Sequence, residues 1–466
     1  MLFSSLEFLF LFLPLTIAVY YLVPKCARNA VLLLFSLVFY GFGEPVYLIL
    51  MIGTIVVDWL FGLSIERYAK TARAKRLLLA LAVTVNILSL AFFKYYDLVA
   101  SALPFLSPLG LSLPIGISFY TFQALTYVID IYRKSARAAT SPMLPATYIT
   151  LFPQLIAGPI VKYNDIEGEL LSRSPSLSSI SDGTRRFIIG LAKKVLLANT
   201  AGEMFESLAR GSSVYGQDTL GAWLCVIFFA FQIYFDFSGY SDMAIGLGKL
   251  FGFTFPENFS YPYIASSITD FWRRWHITLS LFFRDYLYIP LGGSRRGRLR
   301  TYLNLLIVWS ATGIWHGAGI NFLLWGLYFF FLLSAEKLFW HKILEKLPKL
   351  VRHGYALVAI LFGWLIFAAD GISLTKTTAL TIARAMLFIS APLSSSYSLY
   401  ELKRNLLPLI IMSAASLPVF SLIGKRLLNK SAFGRAISNF FCLGLFIICI
   451  AYLVSSGYNP FLYFRF

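Results

Sequence analysis

The chain has 466 residues, of which 58% are hydrophobic and only 13% charged, and it carries a formal net charge of +18. Soluble domains run about 45–50% apolar and about 25% charged, so a single aqueous core is excluded and the solvent must be largely lipid. Nucleic acid is excluded as a partner: the basic residues cluster between apolar runs, where topology and anionic head groups call for them, and no nucleic-acid module is legible.

In chain order, an apolar run from Phe8 to Val23 has no basic residues before it and no small-residue cleavage site, so residues 3–23 predict a retained first helix. Lys25 and Arg28 follow, which places the N-terminus outside and the first loop in the cytoplasm. Further apolar runs fall near 29–42, 46–65, 77–93, 113–132, 146–161, 187–207, 219–250, 303–340, 355–371, 377–392, 406–424 and 437–455. Lipid forces backbone groups to pair within a segment. Several runs are shorter than the roughly 20 residues of a full span. The expectation is an all-α polytopic membrane protein of about 11 transmembrane helices plus re-entrant and interfacial helices. The polar stretch 165–186 predicts a Ser-rich connector in which Ser181 or Asp182 caps the next helix. Residues 1–466 form one integral membrane domain on this reading. The four cysteines make neither zinc-type spacing nor a disulfide framework, and no metal is expected.

Two aspartates inside an apolar run, Asp236 and Asp242 in FDFSGYSD, are expected to pair with arginines. Asn258, Tyr261 and Tyr263 follow in a Pro-broken loop that offers polar contacts but receives no assignment. DFWRRWHITLSL at 270–281 reads as part of one helix through 269–287 at the membrane–water interface. Thr269, Trp272, Ser280 and Phe283 would share the side of His276, and Asp270 would pair with Arg274. From Asp270 to Arg300 there are seven arginines and no lysine. Head-group anchoring accepts either base, whereas bidentate phosphate recognition prefers arginine. Arg273, Arg274, Arg295 and Arg296 are therefore candidates for the phosphates of a donor such as coenzyme A or a phosphopantetheine arm. LGGSRRGR at 291–298 lacks P-loop spacing and predicts a mobile loop.

His316, in TGIWHGAGIN, is the one group titrating near neutral pH between Arg300 and Glu336, a window without Asp, Glu, Lys or Arg. About 15 helical residues separate it from Arg300, some 20–25 Å of travel. Gly317, Ala318, Gly319 and Asn321 supply a break between two crossings, which puts His316 at the tip of a re-entrant hairpin or near the far surface. A polar group at that depth is a candidate for chemistry; the alternative is a packing role beside Gly313 and Gly317. His341 and His353 lie in a basic stretch and are assigned interfacial solvation.

FWRRWHITLSLFFRDYLYIPLGGSRRG followed by TGIWHGAGINFLLWGLY resembles the membrane-bound O-acyltransferase family, in particular its bacterial alginate and peptidoglycan O-acetylation branch. The likeness extends through LPIGISFYTFQALTYVIDIYR, LFPQLIAGPIVKY, YFDFSGYSDMAIGLGKLFGF and PENFSYPYI, and covers Met1 to about residue 340; the C-terminal quarter is only hydrophobic. The resemblance implies helices around a central tunnel, with His316 as the catalytic histidine and His276 as a second signature residue. It also implies a multi-pass protein of the bacterial inner membrane. There it would move an acyl group, acetyl in the first instance, from a cytoplasmic thioester toward a cell-envelope polysaccharide, often through an extracytoplasmic partner acetyltransferase. The donor would be acetyl-CoA or a carrier-bound thioester, with no bound cofactor. His316 would serve as general base, while His276 would orient the acceptor or donate to the oxyanion. D-alanyl transfer to a teichoic-acid-like polymer and a non-enzymatic transporter or scaffold are the competing readings.

Overall fold

A computed structural model of the chain describes residues 1–215, 217–371, 373–389, 391–424 and 432–462, with the side chains at 212–215, 423, 432 and 435 outside the description. Among these residues the regular structure is helical, without strands. Seven helices among the described residues are long and apolar enough to cross a membrane: Lys25–Gly43, Tyr47–Tyr68, Ala72–Ala102, Thr219–Phe251, Ile320–Lys346, Lys349–Ala368 and Ala436–Ser455. Phe8–Leu22 and Leu406–Ala415 are shorter apolar helices. This is the pattern of a multi-pass membrane protein, because only helices satisfy their own backbone in lipid.

The chain divides into two compact units, Met1–Phe187 with Tyr240–Pro256, and Ile188–Gly239 with Glu257–Phe466. In the first unit, polar groups tie distant segments. Arg173 donates to Tyr20 Oη and the Phe251 carbonyl at 3.0 Å each and to Asn29 Oδ1 at 2.7 Å, and Asn86 donates to buried Asp58 at 2.8 Å. Asp242 pairs with Arg186 at 2.8 Å, as expected from the sequence. One expectation needs correction. The helix after the Ser-rich connector is Leu177–Ala192, so Ser181 and Asp182 lie inside it, and Ser176 Oγ accepts the Ser179 N–H at its start. Several serines in a row offered the cap, and Pro175 just before Ser176 favours the earliest one. The apolar run 146–161 forms two short helices, Met143–Thr150 and Phe152–Leu155, followed by non-helical backbone. Pro153 and Pro159 flanking Gly158 account for that.

The second unit holds the residues of interest on six helices: α1 (Thr219–Phe251, through Gly239 in this unit), α2 (Ile268–Arg274), α3 (Ile277–Phe283), α4 (Arg298–His316), α5 (Ile320–Ala335) and α6 (Lys349–Ala368). The window 303–340 does contain two helices, broken at Gly317–Gly319. Glycines bring α4 and α5 into backbone contact. A Cβ on Gly313 would stand 2.4 Å from the Phe322 carbonyl oxygen, and one on Gly326 2.3 Å from that of Trp309. Such approach is the usual way for helices to associate where lipid supplies no hydrophobic drive. Asn321 then donates to the Phe367 carbonyl at 3.0 Å, fixing the start of α5 to the end of α6. The core between these helices is aromatic: Trp275 and Trp364 are 4.7 Å apart at their centroids, and Trp325 and Phe329 5.4 Å.

Candidate functional site

His276 is where the expected helix fails. The chain is helical to Arg274, extended at Trp275 and left-handed at His276 (φ 43°, ψ 54°), and turns helical again at Ile277. Thr269, Trp272, Ser280 and Phe283 therefore do not share one continuous face with it. A non-glycine residue in this region is strained and persists only where the surroundings over-determine it. They do so here. The loop 258–260 runs beside the kink, with Ser260 N–H donating to the Arg274 carbonyl and Ile277 N–H to that of Asn258, each at 2.9 Å. The Asn258 side chain completes the clamp: its Oδ1 accepts from Thr278 N–H at 3.3 Å, Thr278 Oγ1 at 2.9 Å and His276 Nδ1 at 3.1 Å.

These contacts assign the tautomer. An atom that accepts a backbone N–H is an oxygen, so His276 Nδ1 carries the proton and Nε2 carries the lone pair. Among the described residues, His276 Nε2 meets no hydrogen-bond partner. The imidazole is 2% exposed and stands edge-on to Phe237 at 4.6 Å, and burial pushes it down to about 3, so it is neutral at physiological pH.

The helix leading into the kink is held by a residue the sequence gave no reason to select. Glu336 is 3% exposed and accepts Ile268 N–H at 2.7 Å, Thr269 N–H at 2.9 Å and Thr269 Oγ1 at 2.6 Å. A carboxylate there satisfies the orphan donors of α2 and suits its positive end. Asp270 pairs with Arg274 at 2.8 Å, as expected.

His316 is the last residue of α4, at the tip of the glycine-packed hairpin. Gly317 follows it because nothing larger fits: a Cβ would stand 2.2 Å from the Phe322 ring. The imidazole stands edge-on to Trp325 at 5.0 Å and to Phe367 at 5.3 Å. His316 and His276 line one cavity, together with α1 residues including Asp236, Trp325 of α5, Trp364 and Phe367 of α6, and Phe461 and Leu462 near the C-terminus. Forty positions apart in sequence, the two histidines share one cavity. Its walls are apolar and aromatic, and its few polar groups sit among them, which is the usual make-up of a small-molecule site.

Residues 47–375 match the model of the membrane-bound O-acyltransferase family. The chain belongs to that family. It is 34% identical to the probable alginate O-acetylase AlgI of Pseudomonas putida over the full length of both chains. To the probable alginate O-acetylase AlgI of Pseudomonas aeruginosa it is 39% identical, over 80% of this chain and 73% of the relative. To the peptidoglycan O-acetyltransferase of Helicobacter pylori it is 36% identical, over 80% and 78%. The protein is thus a membrane acyltransferase.

In this O-acyltransferase the arginine candidates lie apart from the histidines, and none of them lines the cavity. Arg273, Arg295 and Arg296 are exposed; Arg274 is half-buried and engaged with Asp270 and the Ser260 carbonyl. The LGGSRRGR loop is hydrogen-bonded to α4, where Asn304 donates to the Gly293 carbonyl at 2.9 Å. Asp236 pairs with Lys194 at 2.7 Å, not with an arginine. A buried ammonium fits there because Asn199 Oδ1 and the Pro460 carbonyl also accept hydrogen bonds from it. His341 is exposed beside Glu345. His353 instead contacts the Ala265 carbonyl at 3.1 Å. Lys194 and Glu336 were not singled out by the sequence because each is defined by partners far along the chain, and Asn258, left without a role there, gains one in the same way.

Proposed function

We propose that this acyltransferase moves an acetyl group from a cytoplasmic thioester toward hydroxyls of a cell-envelope polysaccharide, with His316 as general base. The observation that carries this is the shared cavity: two imidazoles face one apolar space, one of them locked in a tautomer with its Nε2 lone pair unengaged. His316 takes the proton of the acceptor hydroxyl as that oxygen bonds to the thioester carbonyl carbon. The carbon–sulfur bond then breaks, and the departing thiolate receives the same proton from His316, leaving an ester and a thiol. General-base assistance of this kind contributes about 10²–10⁴-fold. The C-terminal end of α4 carries partial negative charge, which favours the imidazolium formed in passing by about 0.3–1 kcal/mol.

Of the two roles considered for His276, its tautomer supports the first. Nε2 accepts a hydrogen bond from the acceptor hydroxyl and orients it; with the proton on Nδ1, it cannot donate to an oxyanion. An imidazole pushed down to about 3 is also a poor base, which favours His316 for proton removal. The donor is acetyl-CoA or a carrier-bound thioester, and exposed Arg273, Arg295 and Arg296 are the candidates for its phosphates. The relatives' names point to an acceptor of the alginate or peptidoglycan kind. On this reading the chain works as a single catalytic domain in the bacterial inner membrane, passing acetyl groups to an extracytoplasmic partner transferase. The test is envelope-polysaccharide O-acetylation in cells carrying His316→Ala, with membrane abundance measured alongside. Lost acetylation at normal abundance supports the proposal, and retained acetylation removes His316 as the base.

A further inference from the structure

We propose that the segment Tyr458–Leu462 is a latched wall of the histidine cavity that sets the largest acyl group the site admits. The substrate class in this statement rests on the acyl-transfer reading above.

The wall itself is Phe461 and Leu462, 5% and 3% exposed, both lining the cavity. The latch is the buried pair Lys194–Asp236, whose side chains are 3% and 5% exposed. Lys194 stands 2.7 Å from Asp236 Oδ1 as an ion pair and donates to Asn199 Oδ1 and the Pro460 carbonyl. The other oxygen of Asp236 accepts the Leu462 N–H at 2.8 Å. The ion pair thus grips the segment at both ends of a three-residue stretch, by a carbonyl on the cation and an amide on the anion. Two further ties precede it: Asn199 donates to the Tyr458 carbonyl at 3.2 Å, and Tyr458 donates to Glu206 at 2.9 Å.

A buried ion pair contributes little net stability compared with well-packed apolar residues, so stability alone does not account for this one. Its geometry does account for a fixed backbone at the cavity edge. Asp236 both belongs to the latch and lines the cavity. Trp364 and Phe367, at the end of α6, line the same cavity, so bulky side chains from α6 and from this segment both bound it. In such a pocket one methylene changes discrimination by about 10–200-fold. Removing the Leu462 side chain beyond Cβ makes room for roughly the two extra carbons of a butyryl group.

The test uses the full chain purified in detergent, with exposed Cys26 replaced by serine, and two readouts. The first is competition between equimolar acetyl and butyryl thioesters. The second, independent of catalysis, is the labelling rate of Ile233→Cys, a cavity position, by ethyl and benzyl methanethiosulfonates. Leu462→Ala and Phe461→Ala should raise the butyryl-to-acetyl ratio at least about tenfold and accelerate benzyl labelling more than ethyl labelling. The Lys194→Met/Asp236→Leu pair, which removes the latch without leaving an unpaired charge, should do the same. Unchanged labelling would overturn the wall. Faster benzyl labelling with an unchanged donor ratio would overturn its role in selection. Faster benzyl labelling in a protein that transfers neither group would uphold the wall and refute the acyl-transfer reading instead.

Discussion

Replacing Gly313 with alanine puts a methyl carbon 2.4 Å from the Phe322 carbonyl oxygen, where ordinary contact begins at 3.4 Å. The obstacle is backbone of α5, so no side chain can swing aside and the two helices must separate by about 1 Å at this point. Overpacking of that kind costs roughly 1–3 kcal/mol. Its functional consequence is larger, because His316 lies three residues further along the same helix and moves with it. A displacement of about 1 Å at a catalytic group costs on the order of 10²-fold in rate. The assay is acyl transfer by purified protein at matched folded fraction, with thermal stability in detergent recorded for each variant. Gly354→Ala on α6 is the control, since a Cβ there meets nothing within 4 Å, and it should leave rate and stability near those of the parent. Gly313→Ala with a rate within threefold of the parent would refute the idea that hairpin packing positions His316.

Asn258→Leu removes the acceptor for His276 Nδ1 and should lower the transition midpoint, the cost of an unsatisfied buried donor being about 1–3 kcal/mol. Transfer should fall about tenfold or more as the tautomer lock is lost, and unaltered transfer would show that the tautomer is irrelevant. Glu336→Gln keeps one acceptor oxygen for the start of α2 where Glu336→Ala keeps none. Stability should therefore fall in the order parent, Gln, Ala, which thermal melts would check. His276 is held neutral in the folded protein, with its value moved from 6.5 to about 3. Across that window the unfolded chain binds the extra proton, so this residue's contribution to stability is present above about 6.5 and is lost as pH falls toward 3. His276→Gln should flatten the acid side of a midpoint-versus-pH curve, and an identical curve would contradict the assignment.

Features set by local chemistry were legible in the sequence. The lipid environment follows from composition, and the break after His316 from Gly317 and Gly319 in an otherwise apolar window. The Asp270–Arg274 pair follows from helical spacing. The kink at His276 was not legible, because its cause lies outside its own segment. RRWHITLS carries an unbroken helical pattern, and the break is imposed by the carbonyl and side chain of Asn258, eighteen residues earlier. Lys194 read as one more charge in a basic cluster until Asp236 and the C-terminal segment surrounded it. Glu336 marked only the end of a charge-free window, although it holds α2 by three hydrogen bonds. The C-terminal quarter offered only hydrophobicity, since Phe461 and Leu462 acquire meaning from what they face.

The most direct test of the central claim is transfer by the protein reconstituted in sealed vesicles. A radiolabelled acetyl thioester is supplied on one face and the label followed into an oligosaccharide acceptor on the other. With His316→Gln, matched for reconstituted amount, the account predicts a rate lower by about 10²–10⁴-fold, with His276→Gln also impaired. A His316→Gln rate within threefold of the parent would contradict the account and move proton removal to another group.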